Sequence, residues 1–252
     1  MAAYDFRTPR LYVTAPLEAG ATVALDRSQS SYLVNVMRRK PGDSVLLFNG
    51  RDGEWLASLS DRSRKTFVIS VAERTRAQTP PGDLHYLFAP LKQARLDYMV
   101  QKAVELGVSR LVPVLTRHGQ VQRVNGERMR ANAIEAAEQC GILALPEIAE
   151  PIALTKLLAE WIPSRLMVFC DEDAPTGNPV EALAQARGGG IVGPLPVSVL
   201  VGPEGGFAPE ERDELTKLPN MVRLSLGPRI LRADTAAVAV LALVQAVLGD
   251  WK

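Results

Sequence analysis

The chain changes rhythm once, at Gln78-Thr79-Pro80-Pro81-Gly82-Asp83, and that change limits the folds open to it. Upstream, the short apolar stretches Leu11–Val13, Val45–Phe48, Trp55–Leu59 and Phe67–Val71 are separated by turn signals such as Pro41-Gly42-Asp43 and Asn49-Gly50-Arg51-Asp52-Gly53. Apolar stretches of this length between turn-forming clusters favour strands. Asn49-Gly50 and Asp52-Gly53 tolerate positive φ, which predicts a hairpin joining Val45–Phe48 to Trp55–Leu59. One helix interrupts, over Ser28–Arg39, because Leu33, Val36 and Met37 recur at three- and four-residue spacing. Many short strands with one helix predict a small β-barrel over 1–77, with 78–83 as a linker.

From 84 to 252 strands alternate with helices, the pattern of an α/β layer built on a largely parallel sheet. Predicted strands are Leu84–Ala89, Arg110–Leu115, Leu166–Cys170, Val197–Val201 and Val222–Leu226. Predicted helices are Leu96–Leu106, Glu127–Cys140, Leu157–Trp161, Val180–Ala186, Glu210–Leu218 and Thr235–Leu248, the last apolar nearly all round and so destined for core or a subunit interface. Gly188-Gly189-Gly190 follows a helix and not a strand, which makes it a connector and not a nucleotide loop.

Composition narrows the class. At 47% apolar and 23% charged, the 252 residues suit a soluble globular chain. No apolar run is long enough for a membrane span, and the start lacks a signal-peptide core. Two cysteines, Cys140 and Cys170, make no disulfide framework, so a cytoplasmic location is expected. Two histidines, His85 and His118, outside any metal-ligand spacing, leave no metal site expected. The net charge of +1 hides an asymmetry: residues 1–130 hold 20 Lys and Arg against 12 Asp and Glu, and the remainder holds 9 against 16. A basic front half suits a polyanion, although arginines scattered over solvated strands would give the same balance.

Two loops look unlike scaffold. The first follows the predicted strand Val197–Val201 and reads Gly202-Pro203-Glu204-Gly205-Gly206-Phe207. Its glycines let a ligand approach the main chain, and ligands of open α/β sheets gather at the carboxyl ends of strands. A tight turn with Glu204 in water is the plainer alternative. The second is Leu226-Gly227-Pro228-Arg229-Ile230-Leu231-Arg232-Ala233-Asp234-Thr235. Here an apolar pair lies between two arginines, before a helix that Asp234 or Thr235 can cap. That arrangement suits a flat ligand beside a phosphate-bearing one, unless Ile230 and Leu231 simply plug the core. There is no GxGxxG, GxxxxGK[ST] or GxSxG, so neither a Rossmann site, a P-loop nor a hydrolase elbow is supported.

The paired loops, with Tyr32-Leu-Val-Asn-Val-Met-Arg-Arg, Pro41-Gly-Asp, Leu91-Lys-Gln-Ala-Arg-Leu-Asp-Tyr-Met, Pro113-Val-Leu-Thr-Arg and Glu135-Ala-Ala-Glu-Gln-Cys-Gly, closely resemble the RsmE family along nearly the whole chain. These are bacterial 16S rRNA uridine-N3 methyltransferases of the knotted SPOUT class. The resemblance implies a PUA-like β-barrel followed by an α/β SPOUT domain with a deep C-terminal trefoil knot, a homodimer through that domain, and S-adenosyl-L-methionine as cofactor. Its pocket would be walled by Val201, Gly202, Pro203, Glu204, Gly205 and Gly206 on one side and by Leu226, Gly227, Ile230, Leu231 and Arg232 on the other, with Phe169 and Cys170 at a neighbouring strand end. Two positions depart from the family pattern: Ile142 stands where arginine usually follows Glu138-Gln-Cys-Gly, and Ser31 and Tyr32 stand where a histidine is common.

Uracil N3 carries a proton, so a transfer to it needs that proton removed and the resulting anion stabilised. Arg232 is the candidate for stabilising the anion and Glu204 for the base. Arg7, Arg10, Arg38, Arg39, Lys92, Arg95 and Arg117 are the candidate RNA contacts. A non-catalytic rRNA-binding or assembly factor, or a methyltransferase acting on tRNA, remain the alternatives.

Overall fold

The structure, a computed structural model, describes residues 7–63, 66–175, 177–187 and 195–251; Gly188-Gly189-Gly190 lie outside them. The chain divides into two compact units, Met1–Pro80 with Ile134–Leu145, and Pro81–Ala133 with Pro146–Lys252.

The first unit is a curled five-stranded sheet in the order β1-β3-β4-β5-β2, formed by β1 (Arg10–Tyr12), β2 (Thr22–Ala24), β3 (Ser44–Phe48), β4 (Glu54–Ser63) and β5 (Thr66–Arg76). The expected hairpin is present: β3 and β4 pair antiparallel, with Leu47 opposite Trp55. Its turn is built by Asn49, whose side-chain oxygen accepts from the N–H groups of Arg51 (3.1 Å) and Asp52 (2.9 Å). Strand alternation sends Leu11, Val45, Leu47, Leu59 and Ile69 into one core, where Leu33 joins them. The predicted Ser28–Arg39 helix is shorter and has two parts. Helix α1 (Arg27–Ser31) starts at Asp26, whose carboxylate takes the Gln29 N–H at 2.8 Å, and it widens into a π turn over Tyr32–Val36. The helical path ends before Arg38, which lies at φ 54°.

The second unit carries a parallel sheet. Its strands are β6 (Leu84–Phe88), β7 (Arg110–Leu115), β8 (Glu147–Ile148), β9 (Ile152–Ala153), β10 (Leu166–Cys170), β11 (Val197–Val201) and β12 (Met221–Leu224). The order is β12-β10-β11-β6-β7-β8, with β9 paired to β7. Near-continuous apolar strands are what a sheet covered on both faces requires. On one face, α4 (Leu154–Ala159) and α6 (Pro209–Thr216) bring Leu154 and Leu215 against Phe169, Leu200 and Phe207. On the other, α2 (Gln93–Glu105), α5 (Pro179–Ala186) and α7 (Ala233–Val247) pack together, and the Tyr86 hydroxyl donates to Met99 Sδ at 3.3 Å. Among the described residues no helix is long and apolar enough to cross a membrane.

Helix α3 (Gly126–Cys140) belongs to the second unit at its start and to the first from Ile134 on, although the change of rhythm in the sequence assigns all of it to the second region. The physical reason lies in its C-terminal carbonyls. Arg10 donates to the carbonyls of Ala137, Glu138 (3.2 Å) and Ile142 (3.0 Å), and Arg76 donates to that of Gly141 (3.0 Å). Both arginines close on Glu54, Arg10 at 2.8 Å and Arg76 at 2.7 Å, and Glu54 is only 4% exposed. Cations on the last carbonyls of a helix satisfy its unpaired acceptors and its dipole together.

Candidate active site

The geometry follows from strand register. Cys170 at the end of β10 lies opposite Val201 on one side and Leu224 on the other. The loops after β11 and β12 therefore leave the same edge of the sheet with β10 between them, two strand spacings or roughly 10 Å apart. Phe169 and Cys170 end at the middle of that gap. The Phe169 ring itself is buried edge-on against Phe207, centroids 5.1 Å apart, so it is spent on the core. Burial pushes the Cys170 thiol up to about 12, which keeps it neutral.

The Gly202–Phe207 loop is shaped from within. A Cβ at Gly202 would collide with the Phe207 ring, which folds back onto it. Gly206 sits at φ +66°, donates its N–H to the Pro203 carbonyl at 2.9 Å, and has the Glu172 carboxylate where a side chain would go. Glu204 is exposed and ion-paired with Arg95. Beside this loop is a cavity of about 170 Å³ lined by Lys92, Arg95, His118, Pro203, Glu204 and Gly205 among others. His118 faces the Gly205 carbonyl through Nδ1 at 3.1 Å. No spacing in the sequence marks His118 for this site; its place just after strand β7, two residues beyond Thr116, is the one local signal.

The second loop turns at Gly227, φ +100°, and among the described residues no atom beyond its chain neighbours lies within 4 Å of where a Cβ would stand. Ile230 is 95% exposed, Leu226 and Leu231 are half-buried, and Arg229 and Arg232 are exposed. The expected capping is corrected here. Helix α7 begins at Ala233 with Arg232 as its N-cap, and neither Asp234 nor Thr235 fills that position. Asp234 lies in the first turn, where its carboxylate takes the Thr235 N–H at 3.1 Å and meets the positive end of the helix.

A buried carboxylate that the sequence did not single out anchors the third loop. Asp171, immediately after β10 and 2% exposed, accepts from Arg212 Nε of α6 (3.1 Å) and Arg223 Nε of β12 (2.6 Å). Arg212 also reaches Glu172 (3.3 Å) and Asp173 (2.9 Å), so the three acidic side chains gather on one guanidinium.

The candidate RNA contacts separate. Lys92 and Arg117 are exposed, Arg95 less so. Arg117 binds Glu210 through its side chain at 3.1 Å and Glu211 through its N–H at 2.8 Å. Lys92, Arg95 and Glu204 share the cavity beside the glycine loop, whereas none of Leu226–Arg232 lines it. In the first unit Arg7 and Arg38 are exposed, and Arg39 donates to the Arg7 carbonyl at 3.4 Å. Arg10 is a correction. It is 8% exposed, with its guanidinium on Glu54, on three helix carbonyls and over the Phe48 ring at 4.4 Å, so it presents nothing to a phosphate. Ile142 offers its carbonyl to this cluster, and its N–H returns to Ala137 at 3.1 Å in a glycine-terminated helix end at Gly141.

The parallel sheet and its three loops fall within residues 78–245, which match the model of the RNA methyltransferase domain, and residues 25–72 match the RNA methyltransferase PUA domain; the chain is of the RNA methyltransferase class. The chain is 30% identical over 237 residues to ribosomal RNA small subunit methyltransferase E of Rickettsia conorii, covering 94% of each chain. It is 26% identical to the protein of the same name from Bacillus subtilis, covering 90% of this chain and 91% of that one. Ribosomal RNA small subunit methyltransferase E from Neisseria gonorrhoeae, crystallised bound to S-adenosyl methionine, superposes with a TM-score of 0.83 at 26% identity, covering 98% of this chain and 100% of that one. The chain belongs to the ribosomal RNA small subunit methyltransferase E family of RNA methyltransferases.

Proposed function

We propose that this protein methylates N3 of a uridine in 16S ribosomal RNA with S-adenosylmethionine as donor. The observation that carries the reading is the pair of loops, Gly202–Gly206 and Leu226–Arg232, leaving one sheet edge on either side of Cys170. The residues fit the donor: among the described residues nothing lies within 4 Å of where a Cβ on Gly227 would stand, and exposed Ile230 with half-buried Leu226 and Leu231 offers it an apolar wall. Val201, Gly202, Pro203, Gly205 and Gly206 would hold it from the other wall, with the end of β10 as floor. When bound, the donor supplies an electrophilic methyl group on sulfonium.

The chain's own residues supply the rest. Lys92, Arg95 and Arg117 hold the RNA backbone beside the glycine loop. Glu204 is engaged with Arg95, and a phosphate taken by Arg95 frees that carboxylate to accept the N3 proton. Arg232 then faces the uracil anion, and fixed cations at developing charge are worth about 10²–10³-fold in turnover. The exposed Arg7 and Arg38 of the PUA-like unit, with half-buried Arg39 beside them, extend the RNA contact. In the second unit the last strand lies beyond β10 while α7 returns to pack on β11 and α2. That path supports a C-terminal trefoil knot. The half-buried row Val238, Ala239, Ala242, Leu243 and Val247 along α7 supports a homodimer through this domain, and the likeness to rRNA methyltransferases supports a place in the cytoplasm.

The test is kinetic. Arg232→Ala should lower turnover about 10²-fold or more while S-adenosylmethionine affinity, read by calorimetry, stays within about tenfold. Unchanged turnover removes Arg232 from the reaction. Mapping the methylated nucleotide in rRNA from a deletion strain tests the substrate.

A further inference from the structure

The opposite, amino-terminal end of the parallel sheet holds a second cavity, of about 590 Å³, that the methyl-transfer reading does not use. Along each strand the side chains alternate between faces, and on the α4 face the apolar layer of Leu87, Val112 and Leu200 gives way one step earlier to polar residues. Ser198, His85 and Arg110 are direct neighbours there across β11, β6 and β7. All three line the cavity, together with Trp161 and Ile162 that follow α4.

Among the described residues three polar atoms at this place have no hydrogen-bond partner: Ser198 Oγ, Trp161 Nε1 and Arg110 Nε, and Ser198 is 1% exposed. Such atoms are costly to leave unpaired, so a row of them bordering a cavity is a set of waiting hydrogen bonds. Two of the three can only donate, and the serine hydroxyl can do either. The missing partner therefore presents acceptors. The cations around the cavity are already neutralised: Arg110 Nη2 on Glu147 at 3.3 Å, Lys156 on Glu160 at 3.8 Å, and Arg165 on Asp83. Glu150 adds a further negative charge to the lining. His85, held by burial at about 4, is neutral at physiological pH, and its Nε2 lies 3.3 Å from Asp83. No surplus positive charge is left for a phosphate or carboxylate. Leu87, Val112, Ile152 and Leu157 supply apolar walls, and apolar walls with a few convergent donors in a cavity of this size are the usual form of a small-ligand site.

We infer that this cavity binds an uncharged flat heterocycle through its carbonyl oxygens, the chemistry of a pyrimidine base, seated between the apolar walls with Ser198, Trp161 and Arg110 at its polar edge. The site goes beyond the methyl-transfer reading and is separate from it, because it lies at the other end of the strands. The base can come from a free nucleoside or from a single-stranded stretch of RNA.

The experiment follows the three indole N–H signals of ¹⁵N-tryptophan protein saturated with S-adenosylmethionine, with Trp161→Phe identifying the Trp161 signal. Uridine and a short single-stranded uridine oligonucleotide are titrated separately. A saturable shift of the Trp161 signal is expected: with uridine, the source is a free nucleoside; with the oligonucleotide alone, it is RNA. Ser198→Ala should weaken that binding by about tenfold, the loss of one buried hydrogen bond, while thermal stability is unchanged or higher. No shift of the Trp161 signal with either probe overturns the proposal, and so does a shift that Ser198→Ala leaves untouched. Crystals of the unsubstituted protein grown with uridine, and separately with the oligonucleotide, in which the cavity holds ordered water only would also overturn it.

Discussion

In the first unit Arg10 and Arg76 turn inward onto Glu54 and the end of α3, whereas in the second Arg95, Arg117 and Arg232 stand at the sheet edge where the loops gather. The side chain of Arg10 is 5% exposed and that of Arg117 67%. The difference teaches that a basic balance along a stretch of sequence is not a surface potential. Part of the positive excess in residues 1–130 is internal. A buried Arg–Glu–Arg cluster whose arginines also donate to carbonyls at the end of α3 can hold that helix end in place. The solvent-facing arginines contribute little to stability and are available to a polyanion.

The largest expected effect tests the inward set. Arg10→Met leaves Glu54 with half its charge compensation and takes one donor away from each of three carbonyls at and just beyond the end of α3, and breaking such a buried pair costs about 3–5 kcal/mol. Urea denaturation should show that loss. Arg232→Ala, by contrast, should stay within about 0.5 kcal/mol of the parent, as exposed substitutions do. Equal losses in the two variants would erase the distinction between the units.

Next in size is the glycine loop. Gly202→Ala forces the Phe207 ring off its place against Phe169, and overpacking of this kind costs about 1–3 kcal/mol. Because Phe207 shapes the loop, affinity for S-adenosylmethionine should fall with stability. Retained affinity in a destabilised variant would mean that the backbone path of Gly202–Gly206 is not what the donor meets. Arg95→Ala should raise the KM for RNA more than it lowers kcat, and a pure kcat effect would show Glu204 to be disturbed instead.

How much of this was legible beforehand depends on how local the cause is. Arg110–Leu115, Leu166–Cys170 and Val197–Val201 are readable to the residue, because each is an apolar run ended by a residue that breaks the pattern. Thr22–Ala24 escapes, since three residues with only Val23 buried offer no period to detect. The two-residue strands Glu147–Ile148 and Ile152–Ala153 escape for the same reason. The site loops were visible as glycine and arginine patterns, and both leave the same end of the sheet with β10 between them. Asp171 was not visible, because its importance comes from Arg212 and Arg223, 41 and 52 residues away. The division of α3 between the units is equally hidden: it rests on Arg10 reaching Ala137 across 127 residues.

The smallest effect per unit change of condition is the pH response, and it separates the two units by sign. In the first, burial pushes the Glu138 carboxyl up to about 7, despite the Tyr12 N–H that it accepts at 2.9 Å. The folded state holds a proton there that the unfolded chain releases near its ordinary value. This contribution to stability is therefore lost as pH rises from about 5 through 7, with a limiting slope of about 1.4 kcal/mol per pH unit for one proton. In the second unit burial, with Arg165 beside it, pushes the His85 imidazole down to about 4. There the unfolded chain takes up the proton first, so stability is lost as pH falls from about 6.5 towards 4. Glu138→Gln should flatten the alkaline side of the stability profile and leave the acid side standing, and His85→Gln should do the reverse. Hydrogen exchange can assign each arm to a unit by following amides of the curled sheet and of the parallel sheet separately at pH 5 and pH 8. If Glu138→Gln leaves the alkaline loss in place, the carboxyl beside Tyr12 is not its source, and the buried cluster around Arg10 is insensitive to pH over that range.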